Sequence, residues 1–222
     1  LGGVSTGSGF GLPGVAGGVP EAVALLTTSP AATSAAVTSW GAVQVVTSAA
    51  AGDIVAAGAV SITSGGSLTA AGDIGGTAVS VKGLGLGNSG TISGTTSVTV
   101  DAGSGTLTNT GTITNGGAGS AAPIALKGDS MALGGTVTGH AGSVTLTSGT
   151  AAQPISLIGG SGLVLSQANL DLPTTTGGLI VGDGAHTADI TIGGTVGTPA
   201  GSTGGFTINA GHDGAAGGGG QI

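Results

Sequence analysis

The chain of 222 residues has no cysteine, no tyrosine and no arginine. Lysine occurs only at Lys82 and Lys127, and aromatic side chains only at Phe10, Trp40 and Phe206. Each shortage removes a class. Without cysteine there is neither a disulfide framework nor a thiolate metal site. Two lysines cannot neutralise the phosphates of a nucleic-acid interface, so no nucleic-acid partner is expected. Three aromatics cannot build the two interfacial girdles of a membrane barrel. No apolar run reaches the length of about 18 residues that a membrane-spanning helix needs.

Charge is equally scarce. Nine acidic residues against two lysines give a net charge of −7, and charged residues are 5% of the chain, against about 25% in an ordinary soluble domain. Glycine is abundant, at 52 residues, but irregularly spaced, which excludes the strict third-position glycine of collagen. Disordered chains are poor in aliphatics and rich in charge. This one is the reverse, so its Val, Ile and Leu need burial. Leu1 stands where an initiator Met would, and no leader with a basic n-region is present. The chain is therefore expected to be a processed product or a piece of a longer one.

What is present is a repeat. Bulky apolar pairs flank one small or polar residue at Val43-Gln44-Val45, Val60-Ser61-Ile62, Val79-Ser80-Val81, Val98-Thr99-Val100, Ile124-Ala125-Leu126, Val144-Thr145-Leu146, Leu163-Val164-Leu165, Leu179-Ile180-Val181 and Phe206-Thr207-Ile208. Their first members are 17, 19, 19, 26, 20, 19, 16 and 27 residues apart, so the two long intervals read as one repeat plus an insertion. A second motif, Gly-Ser/Thr-apolar-Thr/Ser, recurs at Gly66, Gly90, Gly105, Gly111 and Gly135. Ala51-Gly52-Asp53-Ile54 and Ala71-Gly72-Asp73-Ile74 are identical and 20 apart.

Alternation over three to five positions is the period-2 mark of a short strand, and β-branched residues favour it. Gly, Asn and Asp between the runs supply turns. A short strand repeated about every 20 residues cannot bury its apolar face alone; stacking one repeat on the next does so. The fold class expected is all-β, a single-stranded parallel β-helix (β-solenoid) with coils of about 19–20 residues. Residues 43–222 form the β-helix and residues 1–42 a Gly/Pro-rich lead-in or capping segment. Within that segment, Glu21 to Leu26 has helix-like composition. The sheet edges at the two ends of the rod call for continuation by flanking coils of a longer chain or by identical subunits.

The V-x-V, G-T-I-T and A-G-D-I segments at this spacing resemble the repeats of filamentous-haemagglutinin-like adhesins, the large passengers of two-partner secretion in Gram-negative bacteria. Autotransporter passengers are similar. The resemblance covers roughly 43–222. It implies a structural, non-enzymatic, secreted or cell-surface protein, extracellular or on the outer surface. Its role would be adhesion or biofilm matrix formation, with a host or bacterial surface glycan or protein as ligand. The alternative is a self-assembling extracellular fibre subunit whose copies stack end to end.

Chemistry is thin. No catalytic residue and no cofactor site is expected. β-Helix enzymes acting on acidic glycans use Arg or Lys with clustered Asp, whereas the two lysines here are 45 residues apart. Candidates for a metal ion are Asp53 and Asp73, at equivalent places in successive repeats, and Asp183, His186 and Asp189, within seven residues. The first two read more simply as acceptors for turn N–H groups, and the last three as a solvated turn. Gly211-His212-Asp213-Gly214 lacks the nine-residue recurrence of a calcium-binding β-roll. His140 sits in a turn context and is expected to be exposed. Thr106 to Thr114 alternate threonine, but no Thr-x-Thr array at one rung position is evident, so no ice-binding face is expected.

Overall fold

A computed structural model describes residues 52–211 throughout. Upstream of these it describes the short strands Ala24–Thr27, Val37–Ser39, Val43–Val46 and Ala49–Ala50. Among the described residues the architecture is all-β apart from one short helix, Gln167–Asp171, and every strand pair is parallel, in three curled sheets of 14, 5 and 3 strands. No helix among the described residues is long and apolar enough to cross a membrane.

The largest sheet carries two ladders. The first runs through Ala24, Val43, Val60, Val79, Val98, Ile124, Val144, Leu179 and Phe206, each in register with the next. The second runs through Val37, Ile54, Ile74, Ile92, Ile113, Val137 and Pro173. The long strands Ile74–Lys82 and Thr91–Asp101 belong to both, bending where the register shifts at Gly94–Ser97. The five-stranded sheet is a third ladder through Leu68, Leu86, Leu107 and Met131.

All three ladders turn alternate residues inward. Val60/Ile62, Val79/Val81, Val98/Val100, Ile124/Leu126 and Val144/Leu146 are each at most 1% exposed. They stack on one another and on Ile74, Ile92, Ile113, Leu68 and Leu107 in one apolar cluster. The recurrent glycine before the second-ladder strands has a steric cause. A Cβ on Gly111 would collide with the Gly90 carbonyl oxygen, and one on Gly135 with the Gly111 carbonyl oxygen. Stacked backbones at this corner exclude any side chain.

Three expectations are corrected. Leu163-Val164-Leu165 is not a rung of the first ladder, because Val144 pairs directly with Leu179, 35 residues on. Leu163–Leu165 and Ile190–Ile192 instead flank Ile155–Leu157 in the three-stranded sheet. An apolar-x-apolar triplet marks any strand with a buried face and cannot say which sheet it joins. The parallel step from Leu157 to Leu163 is only five residues long, where a dozen or more is usual. Ile158, Gly159, Gly160 and Gly162 all adopt positive φ to make it. The buried Ser156 hydroxyl pins the loop, donating to Ser161 O at 2.6 Å and accepting from Ser161 N at 3.2 Å.

The second correction is at the end of the stretch Glu21 to Leu26, where Ala24–Thr27 is a strand in parallel with Val43–Val46; residues 21–23 lie outside the described residues. Six residues cannot sustain a helix against a competing sheet partner. Strands therefore pair in register upstream of residue 43 as well. The third concerns His140, which lies at the end of strand Thr136–His140, half-buried, with φ +44°. Its carbonyl accepts from the Thr175 and Thr176 hydroxyls.

Ile62→Asp or Val81→Asp buries a carboxylate among aliphatic side chains and should cost several kcal/mol. Thr99→Asp, on the outward residue between Val98 and Val100, should stay within about 0.5 kcal/mol. Thermal melts of the three variants check this; comparable damage from all three would place the inward face on the wrong residues.

Candidate functional site

The metal-ion candidates fall in two places. Asp53 and Asp73 occupy the corner leading into the second ladder. Asp53 Oδ1 accepts the Asp73 N–H at 3.0 Å, and Asp73 Oδ1 accepts the Thr91 N–H at 3.1 Å. Each carboxylate thus caps the backbone of the next rung. The position continues in register as Thr112 and Thr136.

Asp183, His186 and Asp189 lie on the turn between strands Leu179–Val181 and Ile190–Ile192. Asp183 Oδ2 takes an ion pair from Lys127 Nζ at 2.8 Å, and its Oδ1 accepts the Ala185 N–H at 3.0 Å. Burial pushes the Asp183 carboxyl up. The Lys127 hydrogen bond and charge, with the Ala185 N–H and His186, more than reverse this, so its pKa lies below the ordinary carboxylate value. Asp189 is exposed. No three His, Asp or Glu side chains among the described residues converge on a point where they could hold a metal ion. His212 and Asp213 lie outside the described residues.

The solvated-turn reading fails at His186, which is 2% exposed. The residues after Thr147 cover it. Its Nδ1 lies 3.2 Å from the Ser148 hydroxyl, itself buried, while Nε2 has no hydrogen-bond partner. Ser and His together suggest a nucleophile pair, but the geometry does not complete one. The Ser148 hydroxyl donates to Thr150 O at 2.8 Å, and the Asp183 carboxylate is engaged by Lys127 and Ala185. Among the described residues only the His186 ring reaches the serine, and with nothing hydrogen-bonded to Nε2 to orient that ring no triad forms.

The two lysines, distant in sequence, share one outward column. Lys82, Asp101 and Lys127 are consecutive register partners on the first ladder. Lys82 Nζ lies 3.4 Å from Asp101 Oδ2. Spacing in the chain hid this alternating column because each rung adds a full repeat between neighbours.

Two further features escaped the sequence reading. Asn88 and Asn109 are register partners buried at the inner end of the third ladder. Asn88 Nδ2 donates to Asn109 Oδ1 at 2.8 Å and to Gly90 O at 3.2 Å; Asn109 Nδ2 donates to Gly111 O at 3.4 Å. The signal was Asn-x-Gly, at Asn88 and again at Asn109. The other feature is a hydroxyl array, which corrects the expectation that none exists. Thr91/Ser93, Thr112/Thr114 and Thr136/Thr138 stand in register on the outward side of the second ladder, and Thr174 follows Thr138. Of these, only the Thr114 hydroxyl has a partner among the described residues, Asn115 O at 3.4 Å. Beside them lies a small depression of about 190 Å³ lined by Gly76, Ser93, Gly94, Thr95 and Thr114. The face offers free donors, acceptors and methyl groups at regular spacing, with no charge.

The chain matches no family model, no curated protein and no solved structure.

Lys127→Met should raise the Asp183 pKa. A lowered folded-state pKa contributes stability above the unfolded carboxylate value and loses it as pH falls through the folded one. Wild type and Lys127→Met should therefore differ at pH 7, by about 0.5–1 kcal/mol for a partly exposed pair. The difference should shrink towards about pH 2, as the carboxyl takes up its proton in both. Melts at the two pH values measure the difference; equal stability at pH 7 would show that the ion pair contributes nothing.

Proposed function

We propose that the chain is a run of coils of a single-stranded parallel β-helix, serving as a structural rod segment of an extracellular or cell-surface adhesin or filament. One observation carries this reading. On each of the three ladders, strands pair in parallel with their equivalents one repeat away. First-ladder partners are 19, 17, 19, 19, 26, 20, 35 and 27 residues apart. A chain that returns to the same face in the same direction after each repeat climbs by one strand spacing, about 4.8 Å. The intervals of 26, 27 and 35 are then coils carrying insertions, the largest in the coil from Val144 to Leu179.

The adhesive surface in this reading is the hydroxyl array of Thr91, Ser93, Thr112, Thr114, Thr136 and Thr138. Uncharged hydroxyls and methyls on a rigid sheet suit a neutral, polyhydroxylated ligand, and a net charge of −7 disfavours acidic ones. The role is binding and support, without catalysis.

The test is adherence. Beads carrying the chain should adhere to a surface of neutral polysaccharide several-fold better than albumin-coated beads. Thr112→Lys combined with Thr114→Lys should lower adherence without moving the melting temperature. Adherence no better than albumin would overturn the adhesive role.

A further inference from the structure

We propose that His186 is an acid-sensitive pin. Protonation of its imidazole under mildly acidic conditions releases the turn at 182–189, and with it the strand Ile190–Ile192, from the three-stranded sheet. The fold places the ring where a proton cannot be accommodated. The Ser148 hydroxyl spends its hydrogen on Thr150 O, so it accepts from Nδ1–H. That leaves Nε2 as the bare lone pair, buried with no partner. A proton added there puts an imidazolium charge in a site closed to water, with the Asp189 backbone as its one source of help, and burial disfavours the charged form.

The surrounding charges do not rescue it. On its own turn, His186 faces Asp183 and Asp189. Asp183 is already neutralised by Lys127, reaching over from strand Ile124–Lys127, and Asp189 is exposed. From the neighbouring segment, Asp129 is engaged by the N–H and hydroxyl of Thr150, at 2.9 and 2.8 Å. Burial therefore dominates, and the imidazole pKa lies below its ordinary value. The Asp183 charge and a hydrogen bond to the Asp189 backbone oppose this without offsetting it. A folded-state pKa below the unfolded one means that docking of the turn is fully stable above the ordinary histidine value of about 6.5. It weakens as pH falls towards the folded value.

The turn is also the joint on which the small sheet depends. Thr187 donates to Ala151 O from its N–H at 2.9 Å and from its hydroxyl at 3.2 Å. Ile155 N–H donates to Asp189 O at 3.1 Å. Ile155, Leu157 and Ile190 are 0% exposed. Loosening the turn uncovers these apolar side chains and the edge of Ile155–Leu157, a surface that pairs readily with another strand.

The test is amide hydrogen exchange on the full chain at pH 7.5 and 5.0, corrected for intrinsic rates. Protection at Ile155–Leu157 and Ile190–Ile192 should fall at least about fivefold on acidification, while Val98–Val100 keep theirs. His186→Gln, which cannot take the proton, should abolish the response, and His140→Gln should retain it. The ring titration of His186 in the wild-type chain, followed by NMR, gives a second reading that does not depend on a variant folding. Unchanged protection in the wild type, a wild-type response in His186→Gln, or a ring that titrates at or above the ordinary histidine value would each overturn the proposal.

Discussion

The structure depends on in-register parallel pairing between residues one repeat apart. With two lysines in 222 residues, ion pairs cannot hold it together, and with three aromatics neither can ring packing. Backbone hydrogen bonds from rung to rung and the aliphatic columns between them supply the stability. The pairing also sets the composition. Corners such as Gly90, Gly111 and Gly135 admit no Cβ because the backbone of the previous rung occupies its place. Inward positions need Val, Ile or Leu, and outward ones tolerate Ser, Thr or Ala. Among the described residues the many glycines and the scarcity of charge follow from stacking.

Register also turns chemistry that is scattered in sequence into columns. Lys82, Asp101 and Lys127 line up on one outward face, Asn88 and Asn109 on an inner one, and six hydroxyls on another. The same stacking of like on like repels when the residues are carboxylates. Asp53 and Asp73 avoid this by directing an oxygen at the backbone N–H of the next rung. A ladder therefore concentrates whatever a repeat position carries and so presents a surface with a defined chemistry.

Much of the fold was legible because the first-ladder triplets from Val43 to Val144 carry both the period-2 alternation and the repeat. The A-G-D-I pair correctly aligned Ile54 with Ile74. Legibility failed where local chemistry is shared by different places. The Gly-Ser/Thr-apolar motif opens third-ladder strands at Leu68 and Leu107 and second-ladder strands at Ile92, Ile113 and Val137. Its spacing alone therefore mixes two faces. Leu163-Val164-Leu165 has the triplet pattern but a different sheet. The burial of His186 was invisible because every residue from Asp183 to Asp189 is small or polar, and what covers the ring is the distant segment after Thr147.

The central claim is that residues one repeat apart are lateral neighbours. A cysteine-free chain allows a clean test. Ser80 and Thr99 are outward register partners on adjacent rungs, about 4.8 Å apart and within the Cα range of about 4.4–6.8 Å for a disulfide. Ser80 and Thr145 are three rungs apart on the same column, about 14 Å at that spacing. On mild oxidation of dilute protein, Ser80→Cys/Thr99→Cys should close an intramolecular disulfide readily, and Ser80→Cys/Thr145→Cys should not. Failure of the adjacent pair to close, or equal closure of both, would contradict the stacked register on which the account rests.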